Sequence, residues 1–339
     1  MIKEKIKRFR DRLIELRLII LEYNSNAKHN SESVLRELQG KILVISHSLE
    51  KGMGMKCVKT GFGQKKALTL SKYLLEYIRL SQDVNCFAFR EGYSMLKRYI
   101  NFQNDNCFEV KRVESQLVKI SSLICGTTGD DSKTVGEIKC GYYNFDSDRL
   151  LINKELNVES FLKNRHSIRD YKNEMVSREV IEKVVSLANL SPSACNRQPC
   201  KVYCTSTEEE TKYIDSLITG TNGFKGSIPN FAIITADRNL FSGLEQFQWY
   251  INGGIYTAYF VLALHSMGLG SIIMQWFAFY KTEKKIKKYF DICKNEAIVA
   301  IVGFGECAQQ VKCLEAQRKD VSESLVYGNK EVFLNENKI

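Results

Sequence analysis

Apolar residues recur at alternating steps of four and three along the start of the chain, at Ile2, Ile6, Phe9, Leu13, Leu16, Ile20 and Tyr23. With 3.6 residues per turn, that spacing lines them on one face and predicts a helix or short coiled coil. Further helices are predicted over roughly 31–49, 65–80, 86–102 and 109–124. The first proline is Pro192, so nothing in this stretch removes a helical N–H or clashes with a preceding turn. From Gly126 to Asp148 the period disappears into the polar, glycine-rich GTTGDDSKTVGEIKCGYYNFDSD, which reads as a linker. Beyond it Ser177 is placed to cap a helix carrying Val180, Ile181, Val184, Leu187 and Ala188. KVYCTST alternates like a strand, while NFAIITAD and AIVAIVGFG are continuous apolar runs, the pattern of strands covered on both faces. Between them EQFQWYINGGIYTAYFVLALHSMGLGS predicts a long apolar helix, which belongs in a core or at a subunit interface. The chain therefore divides into a helical region (1–125), a linker (126–150), a domain mixing helices and strands (151–330) and a short tail (331–339).

Length and composition add bounds to this picture. The 339 residues suffice for two domains, and 44% apolar with 26% charged residues is ordinary for a globular protein. No apolar run approaches the roughly 20 residues of a spanning helix, and the charged N-terminus lacks the pattern of a secretory signal. The eleven cysteines follow no regular spacing, which suits reduced thiols and a cytoplasmic setting rather than a disulfide framework. Residues 1–100 hold 20 Lys and Arg against 10 Asp and Glu, the whole of the net charge of +10. Such a basic arm is either a set of solvated helix faces or a surface for an anionic membrane or an assembly partner. No zinc-finger, RNP or basic-zipper pattern points to nucleic acid.

Candidate chemistry concentrates in two stretches. In SPSACNRQPCKVYC, Cys195, Cys200 and Cys204 are spaced Cx4C and Cx3C without a second ligand pair, so no metal site is expected. No neighbouring base favours a nucleophilic thiol. The prolines Pro192 and Pro199 fix the turn, and Asn196 and Gln198 offer amide donors and acceptors. NRHSIRDY carries Arg165 and Arg169 with Ser167 between them. If helical, the arginines share a face, and guanidinium forks with a hydroxyl suit phosphate; the alternative is a solvated basic turn. GMGMKCVKTGFG lacks the strand–GxGxxG–helix context of a dinucleotide loop and reads as turns.

Taken in order, Arg165–Tyr171, Pro192–Pro199, Gly268–Ser271 and Arg318–Lys319 resemble the nitroreductase family of FMN-dependent oxidoreductases. The resemblance spans roughly 155–330 and implies an α+β fold, a nitroreductase-like mixed sheet flanked by helices, here preceded by an all-helical region. It implies that Arg165, His166, Ser167 and Arg169 grip the FMN phosphate and ribityl chain, joined by Arg318, while Ala316 stands where some members carry a second basic residue. It further implies that Pro192, Ser193, Ala194, Asn196 and Gln198 touch the flavin of a partner subunit in a homodimer, and that Gly268, Leu269 and Gly270 lead into backbone near the ring at Ile273–Trp276. Gln275 and Trp276 are larger than is usual there. On this reading no protein group is catalytic: hydride passes from NADH or NADPH through flavin N5 to a small-molecule acceptor, with oxidase or flavin-modifying chemistry, or a flavin-free dimerisation scaffold, as alternatives. ISHSLEKGMGMKCVKTGFG, with His47, Glu50 and Lys51 on one helical face and Gly52 after them, resembles a segment that precedes nitroreductase-like domains in bacterial polysaccharide-biosynthesis clusters.

Overall fold

The apolar periods of the first third become helices. In a computed structural model, which describes residues 31–55, 58–81, 83–128, 135–136, 138–141, 157–221, 223–242, 245, 247–276, 280–309, 311, 313 and 321–328, α1 runs Ser31–Met53, α2 Gln64–Leu80, α3 Phe87–Asp105 and α4 Lys111–Thr128. All four match the expected helices to within a few residues at their ends; the seam from Ile2 to Tyr23 lies outside the described residues. Ile42, Leu49 and Met53 of α1, Leu70, Leu74 and Tyr77 of α2, and Phe89, Met95 and Tyr99 of α3 form one buried core. Each such side chain contributes roughly 1.5–3 kcal/mol by leaving water, so this seam holds the helices together. The Gly61–Gly63 turn is used for packing: Phe62 sits edge-on to Tyr99 and Phe102, and its carbonyl accepts from Tyr99 Oη and Gln103 Nε2.

Part of the polar stretch after α4 lies along α3. Arg90 Nε donates to Gly136 O (2.9 Å), Ile138 N to Ser94 Oγ (3.1 Å) and Gly141 N to Glu50 Oε1 (3.1 Å). In this neighbourhood burial, with Glu50 nearby, pushes the Glu91 carboxyl up to about 7. His47 Nδ1 stands 3.6 Å from Glu50 Oε2, as their three-residue spacing on a helix allows.

The second region contains α5 (Val158–Asn164), α6 (Arg178–Ala188), β1 (Cys200–Cys204), α7 (Glu208–Leu217), β2 (Asn230–Asp237), α8 (Gln248–Ser266), β3 (Gly270–Ile273), α9 (Tyr280–Tyr289) and β4 (Glu296–Gly305). The strands lie in the order β1-β2-β4-β3, with antiparallel neighbours. A parallel bridge between Ser167 and Ser271 and an antiparallel one between Tyr171 and Cys307 extend the pairing. Side chains alternate across a strand. Phe231, Ile233 and Ile301 accordingly pack toward Ile214 of α7 and Ile286 of α9. Ala232, Ile234 and Val302 pack toward Val184 of α6 and toward Tyr256, Phe260 and Leu264 of α8. Cover on both faces explains why β2 and β4 read as continuous apolar runs. Ser177 caps α6 as expected, accepting from Val180 N.

The two regions touch through α1, which packs on the short 3₁₀ turns Ala194–Asn196 and Arg238–Leu240. A Cβ on Gly40 would stand 2.6 Å from Leu240 O, so α1 can lie this close only with glycine there. Arg36 Nε is 3.6 Å from Asp237 Oδ2 beside that contact. The fold is thus α+β, a sheet between helices preceded by a helical region.

Candidate flavin site

Helix α5 stops at Asn164, and Arg165 has extended backbone with φ −77° and ψ 115°. The segment Arg165–Tyr171 then runs along β3 without helical turns, with Ile168 N donating to Ser271 O at 3.0 Å and isolated bridges at Ser167 and Tyr171, so NRHSIRDY is not helical beyond Asn164. Arg165, Ser167 and Arg169 fall at every second position of this extended stretch, but only Arg165 and Ser167 line a common cavity. Gly270 lets the segment in: a Cβ there would lie 2.7 Å from Cys307 Sγ and 2.9 Å from Ile168. Gly268 has φ 74°. Its N–H and that of Leu269 close α8 by donating to His265 O (3.1 Å) and Leu264 O (2.9 Å), a Schellman end with Leu269 as its buried apolar residue.

These elements frame two adjoining cavities. One of about 290 Å³ is lined by Arg165, Ser167, Ser271, Ile273 and the α8 residues Ala258, Val261 and Leu262. The other, about 240 Å³, is lined by Asn164, Arg165, His166, Ile168, His265, Cys307 and the Gly268–Ser271 run. They share Arg165 and Ser271, and neither lining contains a carboxylate. A guanidinium, an imidazole and hydroxyls with no competing acid make a donor set suited to a phosphate monoester. The structure therefore gathers Arg165, His166 and Ser167 with Gly268, Leu269 and Gly270. Arg169 is set apart: its Nη1 donates to Ser167 O at 3.4 Å, and its guanidinium lies 5.9 Å from the centre of the Phe224 ring. Arg318 and Lys319 lie outside the described residues.

The loop Ser191–Pro199 is built differently. Cys195, Asn196 and Gln198 have φ of 53°, 52° and 48°, left-handed backbone that costs non-glycine residues about 1–2 kcal/mol each. The anchors that hold it come from several elements. Gln198 N donates to Ser193 Oγ (3.0 Å), and Ala194 N donates to Asn252 Oδ1 (2.8 Å), while Asn252 Nδ2 donates to Gln248 O (2.6 Å). Arg197 is buried behind the loop. Its Nε donates to Ala194 O (3.1 Å), its Nη1 to Leu240 O (2.8 Å) and Glu245 Oε2 (3.0 Å), and its Nη2 to Glu245 Oε1. Its guanidinium also lies 4.4 Å from the centre of the Phe241 ring. Hydrogen bonds from Arg197 outweigh burial at Glu245 and hold its carboxyl down at about 2. Outward, Pro192, Asn196 and Gln198 are exposed, and Gln198 Nε2 donates to Asn196 Oδ1 at 3.2 Å. Burial pushes the thiols of Cys200 and Cys204 up to about 12, so neither is a thiolate at neutral pH.

Helix α8 separates the two arrangements. A cavity of about 150 Å³ behind the loop is lined by residues including Ser193, Gln198, Asn252 and Tyr256, and it shares no lining residue with the Arg165 cavities. At 100° per residue, Asn252 and Tyr256 lie on one side of α8, with Ala258, Val261, Leu262 and His265 on the other. Ile251 and Tyr259 add exposed apolar area to α8, at 52% and 39% exposure. Arg197, Glu245 and Asn252 were not singled out from the sequence. Asn252 carried a signal, as an amide inside an apolar helix; Arg197 and Glu245 are 48 residues apart and carried none.

Residues 162–226 and 243–306 match the nitroreductase family. A candidate NADH dehydrogenase/NAD(P)H nitroreductase of Archaeoglobus fulgidus is 29% identical over 147 residues, 42% of this chain and 80% of that protein. One of the same description from Methanothermobacter thermautotrophicus is 26% identical over 160 residues, 46% of this chain and 80% of that protein. Among solved structures, an FMN-dependent nitroreductase of Clostridium difficile is 23% identical with a TM-score of 0.43, covering 50% of this chain and 98% of that one. A candidate nitroreductase in complex with FMN from Desulfovibrio desulfuricans is 19% identical with a TM-score of 0.44, covering 51% and 97%. The region that carries Arg165–Tyr171, Pro192–Pro199 and Gly268–Ser271 is thus similar to the nitroreductase family.

Proposed function

We propose that this protein is an FMN-dependent NAD(P)H oxidoreductase acting on a small-molecule acceptor as a homodimer, with each flavin held between two copies. The observation that carries this reading is the split just described. A cation-lined, acid-free pair of cavities lies on one side of α8, and a loop presenting amide edges outward lies on the other. Arg165 and Ser167, with His166, would hold the phosphate, the guanidinium by a two-pronged charge-assisted contact and the hydroxyl as a neutral donor. Asn196 and Gln198 of a second copy would meet the edge of the ring with donors and acceptors. Ile273 and the exposed apolar side of α8 would keep water from it. When bound, FMN supplies hydride exchange between a nicotinamide and the acceptor; the protein supplies grip, orientation and donors. The names of the two curated relatives support NAD(P)H as reductant. A setting in polysaccharide assembly is supported by the resemblance of His47–Gly52 alone.

The test is extraction of the purified protein. FMN released at about one per chain, with anaerobic bleaching by NADH or NADPH, is expected; a colourless protein that takes up no added FMN contradicts the proposal.

A further inference from the structure

The helical region touches the second region at one atom that the loop also uses. The carbonyl oxygen of Leu240 lies 2.6 Å from where a Cβ on Gly40 would stand, and the same oxygen accepts from Arg197 Nη1 at 2.8 Å. Arg197 has 3% exposure, and its Nε holds Ala194 O just before the left-handed residues Cys195, Asn196 and Gln198. Glu245 takes the other side of its guanidinium. Strained backbone of this kind persists only when its surroundings over-determine it, and here the surroundings include a helix from the other region, since α1 packs on both the Ala194–Asn196 and Arg238–Leu240 turns.

We infer that Arg197 is a positioning residue for the ring end of the flavin site, and that α1 of the helical region sets it by seating Leu240 against Gly40. The extension is then part of the site's architecture: it shapes the edge that Asn196 and Gln198 present while leaving the phosphate grip at Arg165 alone. This rests on the flavin reading above and adds to it the specificity of the ring end.

Because the loop faces the ring and Arg165 the phosphate, FMN and riboflavin distinguish them. The experiment titrates both ligands into the full-length wild type, Gly40→Ala, Glu245→Gln, Arg197→Lys and Arg165→Ala, with cooperative thermal unfolding as the check on folding. Loss of a charge-assisted hydrogen bond corresponds to roughly tenfold in affinity. Gly40→Ala and Glu245→Gln are expected to weaken FMN and riboflavin alike by about that factor and to shift the visible bands of bound flavin. Arg197→Lys is expected to retain part of the wild-type affinity, since it keeps charge but loses the fork. Arg165→Ala is expected to weaken FMN while leaving riboflavin near wild type. Wild-type affinity and spectrum in folded Gly40→Ala and Glu245→Gln overturn this inference and leave the functional reading standing; a wild type that binds neither ligand overturns both. Glu245 is one-third exposed, so its variant decides the matter if Gly40→Ala does not fold.

Discussion

The Arg165–Tyr171 segment and the Ser191–Pro199 loop carry the polar groups of the candidate site, yet they are held in place by opposite means. The first is extended chain tied by backbone hydrogen bonds to β3 at Ile168–Ser271 and to the residue after β4 at Lys172–Glu306, so its geometry should survive loss of most side chains. The second is left-handed at three non-glycine residues and keeps its shape through Asn252 of α8 and through the bonds of Arg197 to Leu240 O and the Glu245 carboxylate. The first should thus tolerate change everywhere except at the groups that touch ligand. The second should fail when distant anchors are removed, because backbone strain is released once its supports go.

The largest expected effect lies on the first side. Arg165→Ala with Arg169→Ala should weaken FMN by about 100-fold or more, since charge-assisted hydrogen bonds contribute roughly 1.5–3 kcal/mol each. Arg165 lines both cavities while Arg169 stacks near Phe224, so equilibrium titration of the single variants should assign most of that loss to Arg165. Equal losses would mean that Arg169 turns inward. Next comes Asn252→Ala, which leaves Ala194 N without its acceptor. Chemical denaturation should show a loss of about 1–3 kcal/mol, and hydrogen exchange should rise at Cys195–Gln198 and not at Ile168–Tyr171. Equal protection in both segments would remove the contrast between them.

Acid gives the smallest and most selective change. The folded-state value of Glu245 is depressed, so its contribution is complete above the ordinary value of 4.5 and is lost as pH falls through about 2. Fluorescence of Trp249, which packs against Phe241 and Phe247, should follow that loss and respond less in Glu245→Gln. Above neutrality the same clasp should be indifferent to pH.

What the sequence made legible follows the same division. Helices α1–α4 and the runs that became β2 and β4 were readable because burial imposes a period, or its absence, on side chains that are neighbours in the chain. Arg165, Ser167 and Arg169 were readable as phosphate chemistry, but not their conformation. Spacing by four on a helix or by two along extended chain would put the two arginines on one side, yet they part; what admits the extended path is the missing side chain at Gly270, about a hundred residues on. In the loop, Pro192, Asn196 and Gln198 announced themselves by type. Arg197 carried no signal in the sequence, since its carboxylate, its carbonyl and the helix behind them lie 43 residues or more away. Anchors that act only through tertiary contact leave no local pattern to read.

The most direct measurement is complementation between chains. Protein carrying Arg165→Ala and Arg169→Ala is co-expressed, under a separate tag, with protein carrying Asn196→Ala and Gln198→Ala, and mixed dimers are isolated by both tags. If each flavin is held by the arginine side of one copy and the loop of the other, mixed dimers regain one wild-type FMN site in two, although each parent homodimer binds poorly. If both sets of residues serve the same site within one chain, the mixed dimer binds no better than its parents, and a site shared between two copies is contradicted.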